Sequence, residues 1–289
     1  MATPAATARL LRAHGLRPRQ HRGQHFMVSR RALDAVLDAA ALDPGDVVLE
    51  VGAGLGTLTA ALARRVSAVA AVEVDRALIP VLRDTVGRFP HVRVVLGDIM
   101  DLDPAALLEG LPAGPRKVVA NPPYYLASLL MVRLLETPLG LTRLVLTVQR
   151  EVAERIVAPP GGRDYGLLSV LVQFRAAARI AGHLPRSAFY PPPEVESAVV
   201  TMVPHAAPPA VVEDEAVFLR VVRAAFGQRR KTLRNALRAV DATITAEQVE
   251  AACRAAGVDP GRRGETLSLE EFAALARVLA PRLSPPSTG

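Results

Sequence analysis

Residues 47–56 read VVLEVGAGLG. Four of the first five residues are apolar, and three glycines follow in alternate positions. Near-continuous apolar runs of this length suit strands that are buried on both faces of a parallel sheet. A glycine-rich turn directly after such a strand lets the backbone approach a nucleotide closely at the start of the next helix. The stretch therefore predicts the first strand and the ligand-binding turn of a doubly wound α/β fold.

Four further apolar runs follow at intervals that leave room for a helix between them. They are AVAAVEV (68–74), VRVVL (92–96), KVVA (117–120) and RLVLTV (143–148). Strands that alternate with helical segments are typical of a doubly wound parallel sheet. Two later runs, within 167–184 and at 197–204, flank the proline cluster YPPPEV and predict strands that can close the sheet antiparallel.

After residue 204 the pattern changes from strands to helices. Residues 205–216 read HAAPPAVVEDEA, and the chain beyond them has helical apolar spacing. We predict a basic N-terminal arm (1–33), an α/β domain (34–204), a linker (205–216), a small all-helical domain (217–281) and a disordered tail (282–289). No apolar run approaches the roughly 20 residues that span a bilayer, and the N-terminus lacks the pattern of a secretory signal. We therefore expect a cytoplasmic protein with no membrane partner.

The net charge of +7 is concentrated in two segments. Residues 1–33 and 220–238 each contain seven basic residues and no acid, so the remainder of the chain is acidic overall. Such segments are typical of contacts with a phosphate backbone, and two solvated helix faces are the alternative. Arg230, Arg234 and Arg238 recur at intervals of four residues, which predicts that they share one helix face. The predicted nucleic-acid contacts are Arg229, Arg230, Lys231, Arg234 and Arg238.

Carboxylates follow the second and third predicted strands, where ligands of open α/β sheets bind. Glu73 lies 21 positions after Gly52, close to the roughly 20-residue offset of a carboxylate that binds ribose hydroxyls. Asp98 can accept a hydrogen bond from an adenine amine, or it can cap the next helix. Glu50 can bind a ligand or hold backbone N–H groups of the glycine turn. These features predict a nucleoside cofactor, but a nicotinamide dehydrogenase and a methyltransferase would share them.

The tetrapeptide NPPY at 121–124 separates those two possibilities. The exocyclic amine of adenine is a poor nucleophile because its lone pair is delocalised into the ring. Two acceptors facing its N–H bonds would aim the lone pair at a methyl donor, and we assign them to the side-chain oxygen of Asn121 and the carbonyl of Pro122. Tyr124 would stack on the base, with Phe189 as the second aromatic or else as a buried anchor. The predicted mechanism is in-line displacement by positioning, which needs no residue of shifted pKa.

Together these motifs resemble the bacterial ribosomal RNA adenine dimethyltransferases of the small-subunit (16S) type. The resemblance covers nearly the whole chain and runs through GQHFM (23–27), EVGAGLG (50–56), VEVD (72–75), GD (97–98), NPPY (121–124), QREVAE (149–154), YGLLS (165–169), FYPPPEVESAVV (189–200) and FGQRRKTLRN (226–235). It implies a Rossmann-like class I methyltransferase sheet with a small all-helical C-terminal domain. The chain departs from the family at Met27, where leucine is usual, and at Pro122, where leucine is common.

The resemblance also implies a cofactor, a substrate and a partner. The methyl donor would be S-adenosylmethionine, without a metal, and the residues that touch it would be His25, Met27, Gly52, Glu73, Asp98 and Asn121. The implied activity is the transfer of two methyl groups to each of two adjacent adenosines in the 3′-terminal hairpin loop of 16S rRNA. The implied partner is the assembling small ribosomal subunit, so the enzyme would serve ribosome biogenesis, and we expect it to act as a monomer.

Three alternatives stay open. A related dimethyltransferase that acts on large-subunit rRNA and confers antibiotic resistance shares the catalytic core, although FGQRRKTLRN and ETLS (265–268) favour the small-subunit enzyme. A non-catalytic nucleic-acid binder or ribosome assembly factor is disfavoured by the intact Asn121 and Tyr124. A DNA adenine methyltransferase is disfavoured because no segment resembles a domain that reads base edges.

Overall fold

The computed structural model describes residues 3–19, 23–228, 230–241 and 244–283. The chain divides into two compact units, which are Met1–Ala153 with Ala176–Pro204 and Glu154–Arg175 with His205–Gly289. This division differs from the predicted α/β domain 34–204, because 154–175 belongs to the second unit. The reason is packing, since Tyr165, Val170 and Phe174 are buried in one core with Phe218 of the helical unit.

The described part of the first unit contains nine strands. They are β1 (Phe26–Met27), β2 (Val47–Val51), β3 (Ala68–Glu73), β4 (Val92–Leu96), β5 (Arg116–Ala120), β6 (Leu141–Gln149), β7 (Ala176–Leu184), β8 (Phe189–Tyr190) and β9 (Ser197–Pro204). Seven of them form one sheet in the order β4-β3-β2-β5-β6-β9-β7. The first five are parallel, and β9 pairs antiparallel with both β6 and β7. The predicted doubly wound sheet with an antiparallel end is confirmed.

Six helices belong to the described part of this unit or border it; two precede the first strand of the seven-stranded sheet in sequence, and the other four each follow a strand. They are α1 (Pro4–Ala13), α2 (Arg30–Ala40), α3 (Thr57–Leu62), α4 (Ile79–Val86) and α5 (Tyr124–Glu136), with α6 (Arg150–Val157) at the end of β6. The run within 167–184, which predicted a strand, divides into the helix α7 (Leu167–Gln173) of the second unit and the strand β7. Sequence periodicity could not separate the two parts, because a short apolar run is compatible with either structure.

The N-terminal arm is part of the first unit rather than a separate segment. Thr3 caps α1 by accepting a hydrogen bond from the backbone N–H of Ala6, and Pro4 stands at the first helical position. Leu11 of α1 is buried against Phe26, Leu55, Leu78 and Val81. Two arginines of this segment, Arg9 and Arg12, therefore lie on a folded helix.

A second, two-stranded sheet joins distant parts of the chain. Strand β1 pairs antiparallel with β8, so that Phe26 lies opposite Tyr190 and Met27 lies opposite Phe189. This pairing holds the segment GQHFM beside the proline cluster that follows Tyr190.

The second unit is helical, as predicted. Its remaining helices are α8 (Glu215–Gly227), α9 (Leu233–Ala236), α10 (Ala246–Ala255) and α11 (Leu269–Leu283). Asp214 caps α8 by accepting a 3.0 Å hydrogen bond from the N–H of Val217, so the helix begins inside the predicted linker. Helix α11 extends through Leu283, which contradicts a disordered tail at 282–283, and residues 284–289 lie outside the described residues.

The predicted helix face of three arginines is wrong. Helix α8 ends at Gly227, Arg230 lies in the following turn, and Arg234 and Arg238 fall in α9 and in a separate 3-10 turn. The break has a local cause, because the N–H of Lys231 is bound by the carbonyl of Gln228 in a turn. Across the described residues, no helix is both long enough and apolar enough to span a membrane.

Candidate active site

The glycine turn after β2 brings the two predicted motifs side by side. Gly52 and Gly56 have φ values of +77° and +79°, which only glycine adopts without strain. A Cβ on Gly56 would lie 2.9 Å from Thr85 Cγ2, so the absence of a side chain lets α3 pack closely on α4. A Cβ on Gly52 would lie 3.5 Å from the carbonyl oxygen of Asn121. The glycine turn and the NPPY segment therefore lie beside each other, with room for about one methyl group between them at Gly52.

A cavity of about 380 Å³ opens at this edge of the sheet. Its volume falls in the range of small-molecule sites. Its wall is formed by residues 23–27 of the N-terminal segment, the glycine turn, the end of β3 and the start of the NPPY segment, and includes Glu50, Gly52, Gly54, Glu73, Asp75, Asn121, Pro123 and Tyr125. The structure thus brings His25, Met27, Gly52, Glu73 and Asn121 together, as the resemblance implied.

Glu73 has a structural role in addition to its place in the cavity wall. Its two carboxylate oxygens accept hydrogen bonds from the backbone N–H groups of Gly54 at 2.7 Å and Asp75 at 2.8 Å. Burial raises the pKa of Glu73, and these hydrogen bonds offset part of that rise. A carboxylate oxygen has two lone pairs, so each can still accept a ribose hydroxyl. Glu73, rather than Glu50, is the acid that ties down the glycine turn.

Glu50 is the more unusual group of the two. It is fully buried, and no described residue forms a hydrogen bond of full geometry with its carboxyl oxygens, although Thr59 is a weakly placed donor beside them. Burial raises the pKa of Glu50 to about 8, with a smaller rise from Glu73 and a partial offset by the neighbouring Thr59. A buried acid without a partner favours a ligand that carries positive charge. The wall therefore suits a sulfonium and an ammonium group, whereas the pyrophosphate of a dinucleotide would meet two buried acids.

Asn121 is oriented by the segment that closes over the cavity. Its amide nitrogen Nδ2 donates a 3.2 Å hydrogen bond to the carbonyl of His25. The side-chain oxygen Oδ1 is thereby left as the acceptor, which is the polarity that the predicted amine contact requires. Pro122, the second predicted acceptor, is buried next to it and does not line the cavity.

Tyr124 is held at its ring face and at its hydroxyl. Its ring stacks on the ring of His25 at a centroid distance of 5.9 Å and an angle of 20°. Its hydroxyl lies 2.5 Å from Oγ of Ser197, and His25 Nδ1 lies 2.8 Å from the carbonyl of Pro191. Burial raises the pKa of Tyr124, and the contact with Ser197 offsets part of the rise. The ring position is therefore set before any substrate binds.

Phe189 and Asp98 lie outside the cavity wall. The Phe189 side chain is only 3% exposed and packs in the core with Met27, Leu184 and Ala188, which is the buried-anchor alternative. Asp98 is exposed after β4 and accepts a 2.9 Å hydrogen bond from the N–H of Met100, as a helix cap would. Ligand contacts by these two side chains stay predictions.

Sequence reasoning assigned no role to Asp75, which connects the N-terminal segment to the cavity. Asp75 is buried, and its carboxylate binds Arg19 at 3.1 Å and the side-chain amide of Gln24 at 2.9 Å. The side-chain oxygen of Gln24 in turn accepts from the N–H of Arg19 at 2.9 Å. The position of Asp75 two residues after Glu73 was the sequence feature that could have suggested a role. Its partners could not be predicted, because they are more than 50 residues away in sequence.

The predicted RNA contacts of the second unit have different surroundings. Lys231 and Arg238 line a cavity of about 490 Å³ together with Gln228. Arg234 forms an ion pair with Glu250, so its charge is partly neutralised. Arg229 lies outside the described residues.

Comparison with known proteins decides the family. The model of a family described as ribosomal RNA adenine dimethylase matches residues 15–280. The chain belongs to this family. Ribosomal RNA small subunit methyltransferase A of Moorella thermoacetica is 44% identical over 285 residues, which cover 96% of this chain and 98% of the relative. The protein of the same name from Geobacter metallireducens is 42% identical, with coverage of 93% and 98%.

Two solved structures resemble this chain over most of its length. A dimethyladenosine transferase from Plasmodium falciparum superposes with a TM-score of 0.74 at 22% identity and covers 89% of this chain and 98% of its own, which shows the shared fold. The 23S rRNA methyltransferase ErmE superposes with a TM-score of 0.66 at 26% identity, with coverage of 88% and 99%. Membership of the adenine dimethylase family confirms the predicted S-adenosylmethionine-dependent rRNA methyltransferase and removes the dehydrogenase alternative.

Proposed function

We propose that the protein transfers methyl groups from S-adenosylmethionine to the exocyclic amines of two adjacent adenosines in the 3′-terminal hairpin loop of small-subunit rRNA. The proposed substrate form is the assembling small subunit in the cytoplasm, with the chain acting as a monomer. Relatives that are 44% and 42% identical over nearly the full chain carry the name of the small-subunit enzyme, which supports this substrate over large-subunit rRNA.

The observation that carries the proposal is the single cavity that the glycine turn and the NPPY segment line together. Its wall contains Glu50, Glu73 and Asn121, and a Cβ built on Gly52 would lie 3.5 Å from the carbonyl oxygen of Asn121. A cofactor in this cavity would present its methyl group beside the proposed amine acceptor. Proximity of this kind is the main source of catalysis in a displacement that needs no acid or base.

The side chains predicted to bind the cofactor or the RNA have separate proposed parts. Glu73 would accept hydrogen bonds from ribose hydroxyls, and Glu50 would face the cationic part of the cofactor. His25 and Met27 would close the cavity from the N-terminal segment, and Asp98 would reach the cofactor adenine from the end of β4. In the helical unit, Lys231 and Arg238 are the better supported RNA contacts, because Arg234 is paired with Glu250.

The chemistry follows from positioning. When bound, S-adenosylmethionine supplies a methyl group on a positively charged sulfur. Asn121 Oδ1 and the Pro122 carbonyl would accept the two N–H bonds of the adenine amine, while Tyr124 supports the face of the base. Held by these acceptors, the amine nitrogen would aim its lone pair at the methyl carbon and take the methyl group in exchange for the carbon–sulfur bond, and the nitrogen would then lose a proton to solvent. Dimethylation repeats this step with a second cofactor.

A single labelling experiment tests the substrate. The protein is incubated with radiolabelled S-adenosylmethionine and, separately, with undermethylated small subunits, large subunits and duplex DNA. We expect label only in the small subunits, located by nuclease mapping to two adjacent adenosines near the 3′ end. Label in large subunits would favour the antibiotic-resistance enzyme, label in DNA a DNA methyltransferase, and binding to subunits without label a non-catalytic factor.

A further inference from the structure

A second concave surface of the first unit lies outside the cofactor cavity. It encloses about 710 Å³ and is walled by α1, α2, α3 and α4 and by the turns that follow α3 and α4. We call it the basic groove, because four arginines line it: Arg30, Arg64, Arg65 and Arg88. Thr57 lines both the groove and the cofactor cavity, so the two surfaces are adjacent.

The positive charge of the groove is not neutralised within it. Its two acids are Asp34, which pairs with Arg30 at 3.1 Å, and Asp84, which pairs with His14 at 3.2 Å. In the described part of the chain, no carboxylate forms an ion pair with Arg64, Arg65 or Arg88. Three neighbouring guanidinium groups therefore lack an anionic partner.

Two of these guanidinium groups are held together by one aromatic ring. The guanidinium carbons of Arg64 and Arg88 lie 5.3 Å and 5.0 Å from the centroid of Phe89. Phe89 packs against the core of the first unit and contacts the ring of His91 edge to face, with a centroid distance of 6.0 Å. Arg64 also donates to the carbonyl of Ala60 at the end of α3. One ring thus holds two cationic groups that line the groove, which favours binding of an anion there.

The exposure of the arginines indicates which kind of anion binds in the groove. All four are exposed, and an isolated small ion at such a surface gains little because both charges stay hydrated. A polyanion behaves differently, since each phosphate that meets an arginine releases condensed counterions. Arginine also matches the geometry of a phosphate with two N–H groups.

We propose that the basic groove binds the phosphodiester backbone of the substrate rRNA at a site separate from the adenine pocket. This inference rests on the proposed function for the identity of the RNA. It adds an RNA contact on the first unit to the contacts predicted on the helical unit.

The test uses the full-length double variant R65A/R88A, which spares the structural contacts of Arg64 and Arg30. Its affinity for undermethylated small subunits and for a protein-free transcript of the rRNA 3′ region is measured at several salt concentrations. We expect a roughly tenfold loss of affinity for both and a decrease of about 1.5 in the slope of log K against log salt. Cofactor affinity, measured by calorimetry, should stay unchanged.

Two further variants keep the result interpretable. R83A/R179A removes the same charge from exposed arginines outside the groove, and R65K/R88K keeps the charge within it. We expect R65K/R88K to keep the wild-type salt slope and R83A/R179A to bind as wild type does.

Equal slopes for R65A/R88A and R83A/R179A would overturn the proposal. A loss confined to intact subunits would also overturn it, because the occupant would then be an acidic ribosomal protein. Failure of the wild-type protein to label small subunits would reject the proposed function, while the binding measurements would still report on the groove.

Discussion

Thr57 lines both the cofactor cavity and the basic groove, but the ionisable side chains of the two surfaces differ in sign and in burial. The cavity holds acids that are buried: Glu50 has no partner, and Glu73 is bound by two backbone N–H groups. The groove holds cations that are exposed. A buried ionisable group interacts strongly with one ligand in one position, whereas exposed charges act additively and are screened by salt. Substitutions in the cavity should therefore have large and specific effects, and substitutions of surface arginines should have small and salt-dependent ones.

The largest effect is expected for Asn121→Ala. The loss of Oδ1 removes one of two acceptors that orient the amine, so kcat should fall by about 10²–10³-fold. Cofactor binding, measured by calorimetry, should weaken but remain measurable. Asn121→Asp keeps an acceptor at the same place and should retain part of the activity. Unchanged turnover of Asn121→Ala would remove the amine contact from the proposed mechanism.

A smaller effect is expected for Glu73→Gln. The variant loses charge-assisted hydrogen bonds to Gly54 and to the ribose, so the dissociation constant of S-adenosylmethionine should rise about 10–100-fold. Glu109→Gln, which alters an exposed acid of the same unit, is the matched control and should bind as wild type does. Equal affinities for the two variants would show that burial of the acid does not matter for binding.

Glu50→Gln tests the buried acid through the pH dependence of stability. The folded-state pKa of Glu50 is raised from 4.5 to about 8, so the native protein keeps a proton that the unfolded chain has lost between these values. Stability of the cofactor-free protein should therefore fall as pH rises through this window, by up to about 1.4 kcal/mol per pH unit. Urea unfolding of Glu50→Gln from pH 5 to 8 should show a shallower decline. An identical decline in both proteins would mean that Glu50 is ionised in the native state.

The smallest effect is expected in the helical unit. The pair Lys231→Ala and Arg238→Ala removes two exposed cations from one cavity wall, so subunit affinity should fall only a few-fold at moderate salt, and the salt slope should decrease by about 1.5. Arg234→Ala should change affinity less, because Glu250 already neutralises that side chain. Filter binding at several salt concentrations measures both. A larger loss for Arg234→Ala than for the pair would contradict this ranking.

Much of the first unit could be predicted from the sequence. The run VVLEV is the buried strand β2 without a change of bounds, and VRVVL is β4, a half-buried strand at the edge of the sheet, because apolar β-branched runs of that length favour strands. The run within 167–184 could not be resolved, since α7 and β7 have similar composition and different partners. The helix face predicted for the arginines near residue 234 was wrong for a related reason. Their spacing fits a helix, but Thr232 begins a new helix after a turn.

For the site, sequence and tertiary structure contributed different things. The sequence by itself determined which groups are present at the ends of the strands: the glycine turn, Glu73 and Asn121, because parallel strands with a common direction must end at one edge. Only the tertiary structure decided how the two acids divide their roles. Glu73 holds the turn and Glu50 is left without a partner, because burial and hydrogen bonding depend on groups that fold against each strand end. The Phe89 ring likewise contacts the guanidinium groups of both Arg64 and Arg88, which no sequence motif connects, because residues that share a partner in the fold can be far apart in sequence.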